Sequence, residues 1–519
     1  MDQQITNYLK AGYPAIYLVT QEIERMKKII KQVCIKNKFR MHYWSAATNL
    51  TDVTNGNNVK IDNPFDALEK FKALQKKSVC VYQDFHMVLK EADVGLIDLI
   101  RINILHAKKN GSMMIFMGTE LELPAEIEKE LSVVEFDLPD KTSLGHTLDA
   151  LSENVAETKR PNLKLRAELI DAGAGLTSVE FENAAALSLV EGKGRFKPEI
   201  VSREKAETIK KSGILEILHP EETAADIGGL EILKHWLKQR KEGFSIEARE
   251  YGLPNPRGML IIGIPGTGKS LTAKATANIL QRPIVKLDVG RVFAGLVGKS
   301  EERIRMVTKT AEAIAPCVLF IDELEKGFSG TKSSNSTDGG TSNRVFGHFI
   351  TWMQDRKAPV FIVATANNVQ DLPPEFLRKG GRWDEIFFCD LPDLTDRMEI
   401  WKVQLKKYNR DPDKLDYVKL ATISQEFTGA EIEQAVIDTL FTVFNRDKKK
   451  QPVTKDYVKT VEEMIPLAKM MSEQIDEMRT WANSRARKAS SGDSQVEVVA
   501  VQEDSTRTID AGEEKDDPF

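Results

Sequence analysis

One stretch of the sequence has the residue types and spacing of a phosphate-binding loop. Gly263-Ile-Pro-Gly-Thr-Gly-Lys-Ser270 follows an apolar run that predicts a strand, and it precedes a helical pattern over residues 271–280. Glycines let backbone N–H groups turn toward phosphate oxygens, and a helix N-terminus adds a favourable field. We expect Lys269 to reach the β- and γ-phosphates of a nucleotide and the Ser270 hydroxyl to hold Mg²⁺.

A pair of carboxylates follows a second apolar run. Cys317-Val-Leu-Phe-Ile321 predicts a buried strand, and Asp322 and Glu323 come directly after it. A carboxylate beside a phosphate loop can bind Mg²⁺ through water, and a second can orient or deprotonate the attacking water. We expect Asp322 to take the first role and Glu323 the second. The chemistry predicted from these residues is hydrolysis of a nucleoside triphosphate.

Polar residues after the next predicted strand, at 360–365, extend the candidate set. The amide of Asn367 could contact the attacking water or the γ-phosphate, and Asn368 is a competing candidate one residue away. Further on, Arg378 and Arg382 lie on a turn that contains two glycines. A guanidinium that reaches a γ-phosphate from a neighbouring chain can raise the hydrolysis rate by roughly 10³–10⁵.

A parallel sheet would bring these strand ends to one edge. Short β-branched or aromatic runs alternate with helical patterns, which predicts an α/β fold with a parallel sheet flanked by helices. The predicted strands form two series of five, at 15–20, 40–44, 79–82, 112–118 and 133–136, and at 259–263, 284–288, 318–321, 360–365 and 385–389.

The two series belong to an internal repeat. Residues 114–140 align with 363–393, and residues 176–184 align with 427–435. The offsets stay between 249 and 253 residues, so we interpret the repeat as a duplication. We call residues 1–218 the first module and residues 219–490 the second. The predicted divisions are a degenerate α/β domain at 1–140, a helical lid-like segment at 141–218, an ATPase large domain at 219–395, a helical lid with a C-terminal helix at 396–490 and an acidic tail at 491–519.

The second module resembles an AAA+ ATPase. The resemblance rests on Ala225-Asp-Ile-Gly-Gly-Leu230, the phosphate loop, Asp322-Glu323, Asn367, the arginine turn and Thr428-Gly-Ala-Glu431 of a helical lid. Within this superfamily, three further segments resemble AAA proteins of cyanobacteria and chloroplast genomes, which have relatives in bacteria and phages. These segments are residues 322–329, 344–347 and 372–380.

The resemblance implies ATP hydrolysis with Mg²⁺ in a ring, usually of six copies, that remodels a protein or protein complex. ATP would lie between neighbouring chains. Catalytic roles fall to Lys269, Glu323 and Asn367 of one chain and to Arg378 and Arg382 of its neighbour, with Mg²⁺ held at Ser270 and Asp322. The residues implied in nucleotide contact are Ile227, Gly228, Pro265, Gly266, Thr267, Gly268, Lys269, Ser270, Leu271, Gly429 and Ala430.

Two departures from the family pattern leave alternatives open. The arginine turn carries an extra glycine, so either arginine could be the one that reaches the phosphate. Many ring translocases grip substrate with an aromatic residue, where this chain has Gly295-Leu-Val-Gly298. The alternatives to remodelling are an oligomeric scaffold switched by ATP without threading and, less favoured, a nucleic-acid motor or loader.

The first module is predicted to have lost this chemistry. The connection after its first strand has neither glycine nor lysine, and a deletion removes the arginine turn. The residues that the alignment puts in place of Asp322, Glu323 and Asn367 are Asp84, Phe85 and Gly118. We therefore expect a catalytically dead module that keeps the fold for scaffolding or partner recognition.

Charge and composition disfavour several classes of protein. The net charge is −5, but residues 491–519 hold nine acidic and two basic side chains, so the remaining residues carry +2. A near-neutral body disfavours a globally basic nucleic-acid binder. No signal peptide is recognised, and no apolar run approaches the ~20 residues of a membrane helix. Four dispersed cysteines favour a reducing compartment, so we expect a cytoplasmic protein, or a stromal one if it is chloroplast-encoded.

Overall fold

The computed structural model describes residues 2–61, 63–211, 213–293, 299–327, 339–378, 380–448 and 450–491. Residues 295–298 and nearly all of the acidic tail, on which the sequence analysis made predictions, lie outside these ranges. The chain divides into two units. The larger unit holds the described residues of 1–221, 240–260 and 273–385, and the smaller unit holds those of 222–239, 261–272 and 386–519.

The strands within the described ranges are β1 (Ala15–Val19), β2 (Arg40–Ser45), β3 (Asn49–Asp52), β4 (Asn58–Val59), β5 (Ser78–Tyr82), β6 (Met113–Gly118), β7 (Ser132–Glu135), β8 (Leu215–Leu218), β9 (Gly258–Gly263), β10 (Ile284–Leu287), β11 (Cys317–Ile321), β12 (Val360–Ala366), β13 (Glu385–Cys389) and β14 (Arg487–Lys488).

The helices of the first module are α1 (Asp2–Lys10), α2 (Ile23–Asn37), α3 (Pro64–Phe71), α4 (His86–Lys90), α5 (Val94–Asn110), α6 (Lys141–Glu153), α7 (Leu163–Gly173), α8 (Ser178–Glu191) and α9 (Pro198–Lys211). Those of the second module are α10 (Glu231–Arg240), α11 (Ile246–Glu250), α12 (Lys269–Leu280), α13 (Val289–Phe293), α14 (Lys299–Ile314), α15 (Gly339–Asp355), α16 (Leu394–Lys407), α17 (Tyr417–Ile423), α18 (Gly429–Arg446), α19 (Thr454–Glu463), α20 (Leu467–Met470) and α21 (Ser472–Arg485).

The sheet of the first module lies between two layers of helices. Its strand order is β4-β3-β2-β5-β6-β1-β7, and the five predicted strands pair in parallel. Successive side chains of a strand point to opposite faces. Tyr17 therefore packs in a core with residues of α3 and α5, whereas Ile16 and Leu18 pack in a second core with residues of α1 and α2. The predicted α/β fold is confirmed.

The same strand order recurs in the second module. β10, β11 and β12 pair in parallel, and β8 adds an antiparallel edge strand beside β10. The first residues of β9 lie between β12 and β13, because Ile362 N donates to Arg257 O (3.0 Å) and Asp384 N donates to Gly258 O (2.9 Å). The order β10-β11-β12-β9-β13 thus matches β2-β5-β6-β1-β7, as the duplication requires.

The helical segments repeat as well, down to the residues that begin their helices. Asp140 caps α6 and Asp393 caps α16, each through a side-chain oxygen that accepts a backbone N–H three residues on. Thr177 and Thr428 cap α8 and α18, and each closes a capping box with the glutamate three residues later. Helices α6–α9 and α16–α19 each enclose a core of their own.

The cysteines lie inside these layers. Cys34, Cys80, Cys317 and Cys389 are all free and buried. Burial raises the pKa of each thiol to about 12, so all four are protonated and unreactive at neutral pH. Among the residues that the structure describes, no helix is both long enough and apolar enough to cross a membrane.

Candidate functional site

The phosphate loop between β9 and α12 takes its shape from its glycines. Gly266 and Gly268 have φ angles of +84° and +88°, which residues with a Cβ rarely adopt. A Cβ at Gly268 would meet no described atom within 4 Å, so the loop faces open space there. Thr267 Oγ1 donates to Ile264 O (2.8 Å) inside the loop. This open, glycine-lined loop at the start of a helix fits a phosphate group.

Lys269 and Ser270 occupy the first two positions of α12. The Lys269 side chain is buried, and its Nζ donates to Gly263 O (2.7 Å) and Ile264 O (2.8 Å). The loop therefore holds the ammonium group through two of its own carbonyl oxygens. Ser270 is exposed, whereas Lys269 before it is buried and Leu271 after it is partly buried.

Helix α18, which belongs to the predicted lid, begins directly on the phosphate loop. Ala430 N donates to Gly266 O (3.1 Å), and a Cβ at Gly429 would lie 3.5 Å from the same oxygen. Thr428, the cap of this helix, also packs against the loop, since its Oγ1 is 2.9 Å from the Cβ position of Gly266. The structure thus brings predicted residues 266, 429 and 430 together within the smaller unit.

A small pocket collects further predicted nucleotide contacts. It is lined by Gly228, Leu230, Thr267, Asp390, Pro392, Asp396, Ile400 and Gly429. A Cβ at Gly228 would lie 2.6 Å from Ile400 Cγ1, so this position accepts only glycine without rearrangement. Ile227 is buried, and its carbonyl oxygen accepts a hydrogen bond from Lys234 Nζ (3.1 Å).

Asp396 is a buried acidic residue of this pocket to which the sequence analysis gave no role. It is 8% exposed, and burial raises the pKa of its carboxyl to about 6, although a hydrogen bond with Ser490 lowers it. Its Oδ1 lies 2.4 Å from the Cβ position of Gly229, whose φ is +71°. Ser490 Oγ also accepts a hydrogen bond from Leu230 N (3.1 Å). The only local signal was an acidic residue in the first turn of a helix.

The carboxylate pair lies in the larger unit, where Asp322 and Glu323 directly follow β11. Thr365 Oγ1 donates to Asp322 Oδ1 (2.7 Å) and accepts a hydrogen bond from Glu323 N (3.0 Å). Lys286 Nζ lies 3.7 Å from Asp322 Oδ2. Glu323 has a φ of +50°, which turns the chain sharply at the strand end. Thr365, which the sequence analysis treated only as the end of a strand, orients both carboxylate-bearing residues.

The two candidate asparagines have different partners. Asn367 Nδ2 donates to Glu323 Oε1 (3.3 Å) across the ends of β11 and β12. Asn368 Nδ2 instead donates to Asp371 Oδ2 (2.8 Å), and its Oδ1 accepts a hydrogen bond from Gln370 N in a local turn. Asn367 is therefore the asparagine that contacts the candidate water-activating glutamate.

A second glutamate, Glu325, contacts the backbone of Asn367. Its Oε1 accepts a hydrogen bond from Asn367 N (3.0 Å). Its Oε2 is buried and has no hydrogen-bond partner among the described residues. Burial raises the pKa of the Glu325 carboxyl, and the negative charge of Glu323 raises it further. The sequence analysis quoted Glu325 within a motif but gave it no role.

The arginine turn presents its two arginines differently. Arg378 is exposed, whereas the Arg382 guanidinium donates to the carbonyl oxygen of Glu375 in the same turn. Gly380 and Gly381 have φ angles of +75° and +112°, so the extra glycine allows a conformation that other residues rarely adopt. Arg378 is the arginine whose exposure suits contact with another chain.

A phosphate loop implies Mg²⁺ as the metal ion, because Mg²⁺ binds together with phosphates. No group of three or more His, Cys, Asp or Glu side chains within the described ranges could hold a metal ion by itself. Mg²⁺ usually keeps several waters and is held by one or two protein oxygens plus substrate phosphates. Ser270 in the smaller unit and Asp322 in the larger unit each offer an oxygen of the type that Mg²⁺ prefers.

The first module shows that the predicted alignment was wrong by one residue at two places. Strand β5 ends at Tyr82, and strand β11 ends at Ile321. Gln83 and Asp84 therefore correspond to Asp322 and Glu323, whereas the sequence alignment had used Asp84 and Phe85. Asp84 and Glu323 have the same left-handed backbone conformation, each in its own module, with φ angles of +53° and +50°. Phe85 is instead a fully buried core residue. The module thus has a glutamine at the position that corresponds to Asp322.

The asparagine position of the first module also shifts. Tyr82 pairs with Phe116 as Ile321 pairs with Ala364. Thr119 lies three residues after Phe116, and Asn367 lies three residues after Ala364. Thr119, rather than Gly118, therefore corresponds to Asn367. The letter-by-letter alignment missed this because backbone pairing, not residue identity, sets the register.

Comparison with known proteins agrees with this architecture. The family model "ATPase family associated with various cellular activities (AAA)" matches residues 259–391, and the model "SpoVK-like AAA ATPase, N-terminal domain" matches residues 1–136.

Similar proteins span nearly the whole chain, and each is described as an uncharacterized AAA domain-containing protein ycf46. The protein from Trieres chinensis is 39% identical over 490 residues, which cover 93% of this chain and 97% of the relative. Those from Guillardia theta and Pyropia yezoensis are 38% and 36% identical and cover 92% and 94% of this chain, with 94% and 99% of the relatives. The chain therefore belongs to the AAA ATPase family and, within it, to the ycf46 proteins.

Proposed function

We propose that this protein hydrolyses ATP in a homo-oligomeric ring and uses the energy to remodel a protein or protein complex. The observation that carries the hydrolytic part is the hydrogen bond from Asn367 to Glu323 at the ends of adjacent parallel strands. A protein that only bound ATP would not need a glutamate oriented by a neighbouring amide. The AAA family match supports the choice of nucleotide.

The roles of the residues follow from their chemistry. Lys269 and the N–H groups of the phosphate loop bind the phosphates, and Ser270 and Asp322 provide ligands for Mg²⁺. Bound Mg²⁺ supplies charge neutralisation on the phosphate oxygens. Glu323 orients the attacking water and accepts its proton, while Asn367 holds Glu323 in position.

Replacing Glu323 by glutamine tests the hydrolytic role. Glu323→Gln should lower ATP turnover by about 10²–10⁴-fold, because general-base catalysis contributes that much, and should leave ATP affinity unchanged. Glu463→Gln, an exposed glutamate on α19, is the matched control and should hydrolyse ATP normally. Normal turnover by the Glu323→Gln chain would remove Glu323 from this role.

A mixing experiment tests whether arginines act between chains. A Lys269→Ala chain and an Arg378→Ala chain should each be inactive alone and recover some turnover when mixed, because mixed interfaces contain one intact site. Arg382→Ala should impair turnover less, since Arg382 contacts its own turn. Mixed rings, shown by mass measurement to contain both chains, that stay inactive would contradict this assignment.

Two further parts of the proposal concern the ring as a whole. Alanine at Leu296 and Val297 should abolish substrate processing and spare ATP turnover if substrate is threaded, but should change neither if ATP only switches assembly. Clients trapped by a Glu323→Gln chain in its native cell would supply the substrate for this assay. The four free, buried cysteines support a reducing compartment, the cytoplasm or plastid stroma.

A further inference from the structure

A buried carboxylate occupies the first module at the point where the second has its phosphate loop. Only Thr20, Gln21 and Glu22 join β1 to α2, whereas five residues join β9 to α12. Glu22 is 4% exposed, which is unusual for a glutamate. The mechanism proposed above uses neither Glu22 nor its neighbours, so its burial needs another explanation.

The partner of Glu22 is the beginning of helix α8. Ser178 N donates to Glu22 Oε1 (2.6 Å), and Ser178 Oγ donates to Glu22 Oε2 (2.6 Å). Both carboxylate oxygens are therefore used, and both contacts are short. A helix N-terminus with free N–H groups favours an anion, and this helix has 14 residues.

The surrounding residues fix Glu22 in place. Glu22 N donates to Thr20 Oγ1 (2.9 Å), and the guanidinium of Arg25 lies 3.7 Å from Glu22 Oε2. Arg25 also donates to Ser143 Oγ (3.0 Å) in the first turn of α6. The connection after β1 is thus joined to two helices of the module's helical segment, at α6 and at α8.

The equivalent contact in the second module is made differently. There the helix equivalent to α8 is α18, and its Ala430 N donates to the carbonyl oxygen of Gly266 in the phosphate loop (3.1 Å). In the first module no such loop exists, and a side-chain carboxylate meets the helix N-terminus instead.

We propose that Glu22 is a built-in anion that takes the place of an external phosphate-bearing ligand in the first module. Its carboxylate binds the N-terminus of α8 and holds the helical segment on the sheet without nucleotide. The first module is then a permanently closed element. This inference does not rest on hydrolysis by the second module, and it is tested without nucleotide.

Hydrogen exchange of the full chain measures the contact directly. In a Glu22→Ala chain, peptides that cover residues 178–185 should exchange about tenfold faster or more, because the N–H of Ser178 loses its carboxylate partner and the first turn of α8 opens more often. Glu24→Ala is the matched control, an exposed glutamate two residues on in α2, and should exchange as the unaltered chain does.

Acetate provides the second measurement, because it carries the deleted chemical group. Sodium acetate should slow exchange in the Glu22→Ala chain, whereas sodium chloride at equal ionic strength should not. Unchanged exchange on removing Glu22, or equal effects of the two salts, would overturn the proposal. If the Glu22→Ala chain does not fold, Glu22→Gln replaces it; exchange must still rise because the charge is lost, and unchanged exchange would again refute the idea.

Discussion

Replacing Asp396 by asparagine should stabilise the smaller unit at neutral pH. Asp396 is 8% exposed, and its pKa is raised from 3.8 to about 6, chiefly by burial. The folded protein therefore binds this proton more tightly than the unfolded chain does. The stability contributed by the protonated carboxyl is present below about pH 4 and is lost as the pH rises through about 6. At pH 7.5 the ionised carboxylate of Asp396 lowers the free energy of unfolding by about 3 kcal/mol, since one pKa unit corresponds to about 1.4 kcal/mol.

Asparagine keeps the size and the acceptor oxygen for Ser490 but carries no charge. Asparagine should raise the free energy of unfolding relative to aspartate by about 3 kcal/mol at pH 7.5 and by about 1 kcal/mol at pH 4.5. The gain is smaller at pH 4.5 because most of the folded protein already carries the proton. The assay is hydrogen exchange of α16 peptides against urea concentration at both pH values, because the chain has two units and need not unfold in one step.

Asp413→Asn, on an exposed turn of the same unit, is the control and should give no pH-dependent gain. An equal advantage of Asp396→Asn at both pH values would show that packing, rather than charge, explains the effect. A loss of stability at pH 7.5 would refute the reasoning outright, because it would mean that the ionised carboxylate is favourable in this pocket.

Substitutions at three other positions, each with a control, test contacts in and beside the candidate site. Glu325→Ala should lower kcat for ATP about tenfold with KM unchanged, and Glu325→Gln should restore it, because glutamine can still accept the Asn367 N–H. Thr365→Val should lower kcat by a similar factor while Thr365→Ser keeps it, as measured by phosphate release, because serine retains the hydroxyl that contacts Asp322. Gly263→Ala should destabilise the fold by roughly 3 kcal/mol in thermal unfolding, because its Cβ would lie 2.1 Å from a backbone carbonyl oxygen, whereas alanine at helical, open Gly347 should be neutral or slightly stabilising.

The strands that build the sheets were predictable from the sequence because their own residues specify them. All ten predicted strands are present, and each strand end lies within one residue of its predicted position. Continuous apolar runs bounded by polar or glycine residues suit strands that are buried on both faces. Strands β3, β4, β8 and β14 were not predicted. They are short, and pairing with a neighbour stabilises them more than their own composition does.

The residues of the candidate site also fall into those that local sequence identifies and those that only the fold identifies. The phosphate loop and the carboxylate pair follow local patterns, so sequence alone located them. Thr365, Glu325 and Asp396 were missed because their roles depend on partners that only the fold brings near. Ser490, the partner of Asp396, is 94 residues away along the chain. Glu22 belongs to this class too, since its contact with Ser178 spans 156 residues.

The edge strand β8 has a practical consequence for anyone who wishes to study the ATPase module alone. A chain started at the predicted boundary, residue 219, would lack β8 and leave the backbone groups of β10 unpaired at a sheet edge. Exposed edges of this kind pair with other chains and aggregate. A soluble fragment should therefore begin before Leu215, so that it carries this strand with it. What looks like a linker between two halves of a duplicated protein is part of the second half's own framework.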